Sequence, residues 1–336
     1  MSKSFNSHNY EYERLCAQKP LLSYDGVGDF SAWCDAAREK LLELLGLPLE
    51  LCDPELEVEY VKAGDTYTDY RFTVQTEPGY YVPCHLLVPN GMEGKIPLGI
   101  CLSGHATGMH IVLGNPKTKE DEASLIEWPH RAIAPRVVSE GRAALVIEAR
   151  NFGESSLGGY GTSCTEAAKI AMISGRTVIG ERVWDTMRIL DATLAHFDMI
   201  DPENIICTGN SGGGTATYYL ACLEERIALA APCSSVCNYE DSIAAMPHCL
   251  CNHVPNIRKY FEIGDLAGLI APRKLVIGAG EIDPIFPKHG TLKAFETIKS
   301  LYTHAGVPEN CVLVFGNNAH FYYPDEIFEK VHAFGF

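Results

Sequence analysis

Asn204-Ile205-Ile206-Cys207-Thr208 followed by Gly209-Asn210-Ser211-Gly212-Gly213-Gly214-Thr215 reads as a short apolar strand, a glycine-rich turn and the start of a helix. A serine on so sharp a strand-to-helix turn sits in strained backbone, so the residues two before and two after it must lack side chains. Gly209, Ser211 and Gly213 meet that G-x-S-x-G spacing. The amide of Gly212 then lies at a helix N-terminus, where it can face a developing oxyanion. Phosphate-binding readings fail on residue type. A dinucleotide fingerprint needs glycine where Ser211 stands, and a Walker loop needs Gly-Lys-Ser/Thr.

Outward from this turn, Leu98–Leu102, Ala143–Ile147, Ile227–Ala231, Lys274–Ile277 and Cys311–Phe315 are short apolar runs of the kind formed by parallel strands buried on both faces. Helical patterns fit between them at Glu181–Phe197, Thr215–Leu223 and Leu292–Ala305. Before Pro97 the apolar period is two, through 57–61, 69–74 and 80–88, with Glu77-Pro78-Gly79 as a turn. These are expected to be antiparallel strands at one edge. Phe30–Leu45 is an amphipathic helix ended by Gly46 and Pro48. The expected fold is α/β, a mostly parallel doubly wound sheet with antiparallel N-terminal strands. Residues 1–55 are expected to form an N-terminal helical extension and 56–336 the main α/β unit of a single domain. The stretch Ala106–Glu140 is expected to decorate the top of the sheet.

With 336 residues, 46% of them hydrophobic, the chain can bury a sizeable core, which excludes a disordered or fibrous class. A net charge of −16 with no basic run argues against nucleic acid as a partner. No apolar stretch approaches the roughly 18 residues that span a bilayer, so no membrane partner is expected. Residues 1–10 lack the apolar core of a secretory signal, and the expected location is the cytoplasm. Thirteen cysteines, several inside apolar runs, read as buried thiols in a reducing compartment. His248-Cys249-Leu250-Cys251-Asn252-His253 groups four metal-ligand types but has no second knuckle nearby, and reads as loop packing. No metal or organic cofactor is expected.

A serine needs a base. In the α/β-hydrolase order of serine, acid and histidine, the acid follows a late strand and the histidine stands in the last loop. Here the Lys274 strand runs into Glu281-Ile282-Asp283-Pro284, and the strand 312–315 runs into Gly316-Asn317-Asn318-Ala319-His320. Ser211, Asp283 and His320 are therefore the candidate nucleophile, acid and base, with Glu281 the competing acid. Ser103-Gly104-His105, after the first parallel strand, offers the His105 amide as a second oxyanion donor beside Gly212. His110 is given no role.

Ser103-Gly104-His105, 148–155, 184–188, Asp201-Pro202-Glu203-Asn204-Ile205, 209–215 and Ile270-Ala271-Pro272-Arg273-Lys274-Leu275 together resemble the dienelactone-hydrolase-like branch of the α/β-hydrolases, nearest its acetyl xylan esterase-like members, over roughly residues 55–330. The resemblance implies the same Ser211, Asp283 and His320 roles. It also implies a serine esterase that deacetylates small or carbohydrate-linked acetyl esters. Dienelactone hydrolase proper uses a cysteine nucleophile, so Ser211 points to ordinary esters. Secreted members carry a signal peptide, so an imported acetylated oligosaccharide fits better than extracellular xylan. Two other readings stay open: a serine peptidase using Arg150, Arg176 or Arg182 as a terminus clamp, and a non-catalytic binding module on the same scaffold. Phe152, Trp184, Phe286, Phe321 and Tyr322, with no lipase-type lid helix, lead to the expectation of a small acyl pocket.

Overall fold

The computed structural model describes residues 5–336. Two helices, α1 (Ser7–Ala17) and α2 (Phe30–Leu45), precede the sheet. The sequence of α2 fixes both its ends: the Asp29 carboxylate accepts from the Ser31 N–H at 2.8 Å, and Gly46 closes the last turn at φ +76°. Its Ala37, Leu41 and Leu45 stripe is buried.

The chain continues through β1 (Glu57–Ala63), β2 (Tyr67–Glu77), β3 (Tyr80–Pro89), β4 (Ile96–Leu102), α3 (Lys119–Glu127), α4 (Ile133–Ser139), β5 (Ala143–Ile147) and α5 (Cys164–Ile173). It then forms α6 (Val178–His196), β6 (Ile200–Asn210), α7 (Gly212–Leu223), β7 (Ile227–Cys233), α8 (Ile257–Tyr260), β8 (Lys274–Gly280), α9 (Lys288–His304), β9 (Cys311–Gly316) and α10 (Pro324–Ala333). Among the described residues the strands make one nine-stranded sheet, in the order β1-β2-β3-β5-β4-β6-β7-β8-β9. β1, β2 and β3 pair antiparallel, β3 joins β5 antiparallel, and the remaining pairs are parallel.

Helices cover both faces, which is why the parallel strands are apolar without alternation. Along β4, Ile100 and Leu102 face the core built with α2, α6, α7 and α9, while Cys101 faces the core built with α4 and α10. The chain winds from β4 to β5 on one side and returns to β6 on the other. The ends of β4 and β6 therefore meet at the point where the winding direction reverses, the usual ligand crevice of such sheets.

Five helices after the N-terminal pair, α3, α4, α5, α8 and α10, lie outside the helical patterns of the sequence. Ala106–Glu140 does not merely decorate the sheet, because its last part is α4, which buries Ile133, Ala134, Val137 and Val138 against it. Val137 packs so closely that a Cβ on Gly99 would lie 2.5 Å from its Cγ1. Seven residues rich in β-branched side chains are poor helix formers alone, and packing decides the outcome. α5 buries Cys164, Ala168 and Ala171. α10 opens with Pro324 and buries Ile327, Phe328 and Val331. All thirteen cysteines are free thiols. No helix of the described residues is long and apolar enough to cross a membrane.

Candidate active site

β6 ends at Asn210, and α7 begins at Gly212. Ser211 between them adopts φ +55°, ψ −122°, a region that side-chain-bearing residues rarely occupy. Its N–H donates to the Cys233 carbonyl at 2.9 Å, and its own carbonyl accepts from Thr215 at 2.8 Å, so neighbours on both sides hold the turn. The flanking glycines are required by close approach. A Cβ on Gly209 would lie 2.6 Å from the Leu102 carbonyl oxygen and the backbone of Gly213, and one on Gly213 would lie 2.1 Å from the same oxygen.

The loop after β8 carries Asp283 and the loop after β9 carries His320. Asp283 Oδ2 lies 2.8 Å from His320 Nδ1. The other carboxylate oxygen accepts from the N–H groups of Ile285 (2.8 Å) and Phe286 (3.0 Å). The Asp283 carboxylate is wholly buried, and the His320 ring, 20% exposed, stacks on Phe286 at 5.7 Å. Glu281 turns away to pair with Lys288 at the surface.

The loop after β4 passes under the serine turn, where a Cβ on Gly104 would lie 2.6 Å from the Asn210 carbonyl oxygen. The His105 carbonyl accepts from Arg131 Nη2 at 3.0 Å, which fixes the peptide, and the ring lies over Gly212, within 3.1 Å of where a Cβ would stand. Ser211, His320 and His105 line one cavity of about 720 Å³, within the range of small-molecule sites. Trp128 and Phe321, their rings 3.9 Å apart, form part of its wall. Of the five bulky residues expected around a pocket, Phe321 and Tyr322 line this cavity. Phe152 and Phe286 are buried, and Trp184 lies in α6 with its indole N–H donated to the Thr76 carbonyl at 2.8 Å.

The cavity has polar neighbours that hold its loops. Asp121 accepts from the Thr107 hydroxyl (2.5 Å) and from the N–H groups of Lys117 (3.1 Å) and Thr118 (3.0 Å). Burial opposes its charge, but these bonds outweigh burial and draw its pKa down to about 2. Glu148, buried between the loops after β4 and β5, accepts from Met109 and Glu154 N–H groups. Desolvation pushes it up to about 7.

Arg150, Arg176 and Arg182 do not line the cavity. Arg150 is bound to Asp185 (2.6 and 2.8 Å) and Glu77 (2.6 Å), Arg176 pairs with Glu77 at 2.8 Å, and Arg182 is buried. Arg150 and Arg182 instead line a small void of about 20 Å³ beside Ser103 and Gly212.

The compact His248–His253 segment does not gather its four ligand types. His248 Nδ1 lies by Asn252, and His253 Nδ1 by the Cys249 carbonyl. Instead Cys249 and Cys251 meet His105 and Cys164. His105 Nε2 is 3.2 Å from Cys251 Sγ and 3.9 Å from Cys164 Sγ, and the Cys249 and Cys251 sulfurs are 3.2 Å apart. Burial works against a charge on His105, but hydrogen bonding of its ring N–H to the Cys164 and Cys249 sulfurs raises its pKa to about 9. Cys249, hydrogen-bonded by Cys164 and Cys251, is held well below the usual thiol range. No spacing in the sequence could have joined residues 105 and 164 to this pair.

A sequence model of the Abhydrolase family matches residues 13–327. The protein described as "Putative hydrolase YtaP" of Bacillus subtilis (strain 168) is 24% identical over 245 residues, covering 71% of this chain and 78% of its own. Among solved structures, one described as a "putative acetyl xylan esterase" from Bacteroides fragilis NCTC 9343 is similar with a TM-score of 0.78 at 16% identity, covering 94% of this chain and 83% of its own. A glucuronoyl esterase from Solibacter usitatus gives 0.70 at 15% identity, covering 95% and 96%. At these identities the structural likeness is one of fold.

Proposed function

The chain belongs to the Abhydrolase family, and from that premise we propose that it is a serine carboxyl-ester hydrolase working through an acyl-enzyme. The observation that carries this reading is the buried Asp283–His320 contact of 2.8 Å on the same cavity as a serine held in strained backbone. Ser211 Oγ attacks the ester carbonyl carbon while His320 takes its proton, and Asp283 orients the ring and stabilises the imidazolium. The amides of Gly212 and His105 hold the tetrahedral oxyanion. His320 then returns the proton to the departing alcohol. Water, activated by the same ring, releases the acid and restores Ser211.

Small acyl esters of sugars are the substrate class we favour. The cavity of about 720 Å³ has room for an acetyl group and a sugar ring together. The exposed part of the Trp128 and Phe321 wall suits the apolar face of a pyranose. Similar folds described as acetyl xylan and glucuronoyl esterases support the same class.

The test is kcat/KM for p-nitrophenyl acetate, butyrate and octanoate beside acetylated xylo-oligosaccharides, with Ser211→Ala as control. We expect acetyl to lead and the control to lose several orders of magnitude. An added methylene that fits gains about 0.8 kcal/mol, whereas one forced into packed walls costs about 1–3 kcal/mol. Rates rising steadily toward octanoate would remove the acetyl preference. No turnover of any ester, with no adduct from a serine-reactive fluorophosphonate, would remove the enzyme.

A further inference from the structure

His105, Cys164, Cys249 and Cys251 bring one ring nitrogen and three sulfurs to within 4.8 Å of one another, and ester hydrolysis has no use for the three sulfurs. We propose that these four side chains bind a single zinc ion that staples three chain segments together beside the serine turn. The segments are the loop after β4, the first residue of α5 and the turn 249–252.

The donor set, three thiols and an imidazole, is one that selects zinc. Zinc binds sulfur at about 2.3 Å and nitrogen at about 2.0–2.1 Å, so the tetrahedral donors of this set stand roughly 3.5–3.8 Å apart. The observed separations of 3.2, 3.2 and 3.9 Å bracket that spacing. Cys164 and Cys251 are buried, which keeps water from competing.

Charge gives an independent argument. Arg182 is buried, and among the described residues it meets no carboxylate. Its polar partners are the Arg150 carbonyl, at 2.8 Å, and Cys164 Sγ, at 3.4 Å. A nearby negative charge stabilises a buried guanidinium. A divalent ion with three thiolates and a neutral imidazole carries one net negative charge and supplies it. Neutral thiols do not, and neither does a single imidazolium–thiolate pair.

Four protein donors close the coordination sphere, so the ion is structural and takes no part in bond cleavage. Its reach to the chemistry is through His105, whose ring packs on Gly212. Fixing that ring would hold the two peptides proposed above as oxyanion donors.

The test is metal content of the full chain expressed with added zinc, and the spectrum after replacement by cobalt. We expect one zinc per chain after gel filtration. The cobalt form should show sulfur-to-cobalt charge transfer in the near ultraviolet and intense tetrahedral ligand-field bands. Cys164→Ser and Cys251→Ser should each lower bound zinc roughly tenfold or more, whereas Cys16→Ser, at an exposed thiol outside the cluster, should retain it. Folded wild-type protein with neither zinc nor cobalt bands overturns the proposal, as does zinc undiminished in both cluster variants. If those variants fail to fold, the wild-type cobalt spectrum decides alone. None of these readouts depends on ester turnover.

Discussion

His320 Nδ1 lies 2.8 Å from Asp283 Oδ2, while Glu281, two residues earlier on the same loop, pairs outward with Lys288. The two carboxylates should therefore differ sharply on substitution. Asp283→Asn presents the ring with the wrong hydrogen-bonding partner and should lower kcat by about three to four orders of magnitude. Glu281→Gln should stay within about threefold of wild type, since a surface ion pair contributes only about 0–1 kcal/mol. Steady-state kinetics on p-nitrophenyl acetate separates them, and the reverse ranking would reassign the acid.

Ser211 stands at φ +55°, ψ −122°, and strain of this kind is worth about 1–3 kcal/mol. Glycine relieves it but adds about 0.5–1 kcal/mol of unfolded-state entropy. Ser211→Gly should thus be about 1 kcal/mol more stable than Ser211→Ala, with both devoid of ester turnover. Urea midpoints at constant slope give the comparison. Equal midpoints would mean that the elbow holds no strain.

The Trp128 and Phe321 rings meet at 3.9 Å, tilted by 36°, in the wall of the cavity. If it receives the sugar, Trp128→Ala should raise KM for an acetylated xylo-oligosaccharide about threefold to tenfold, matching an aromatic contact of about 0.5–1.5 kcal/mol. Turnover of p-nitrophenyl acetate should change little. Equal losses on both substrates would point to collapse of the wall rather than loss of a sugar contact.

Asp121 is buried, yet bonds from Thr107, Lys117 and Thr118 hold its pKa down to about 2, below the unfolded value near 3.9. A depressed folded pKa means a stabilising contribution fully present above about pH 4 and lost as pH falls through about 2. Asp121→Ala should cost about 1.5–3 kcal/mol at neutral pH and flatten the acid limb of the stability curve. Denaturation midpoints at pH 7, 4 and 3 test both. An acid limb unchanged in the variant would count against this carboxylate as its source.

The sequence alone determined the features whose causes are local. Apolar runs without alternation marked the buried parallel strands, since both faces of such strands must be covered. Gly209 and Gly213 marked the serine turn, because only hydrogen fits against the Leu102 carbonyl there. Chain order placed Asp283 and His320 in the loops after β8 and β9. Tertiary structure decided what depends on how distant segments cross. Between two nearby carboxylates, it turned Asp283 toward His320 and Glu281 toward Lys288. It made α4 a buried helix that its own propensity does not favour. It also took Cys249 and Cys251 away from their sequence neighbours His248 and His253 and set them against His105 and Cys164. Those four residues come from three chain segments that share no period or motif. Only the packing of α5 and the turn 249–252 beside the β4 loop brings their donor atoms together.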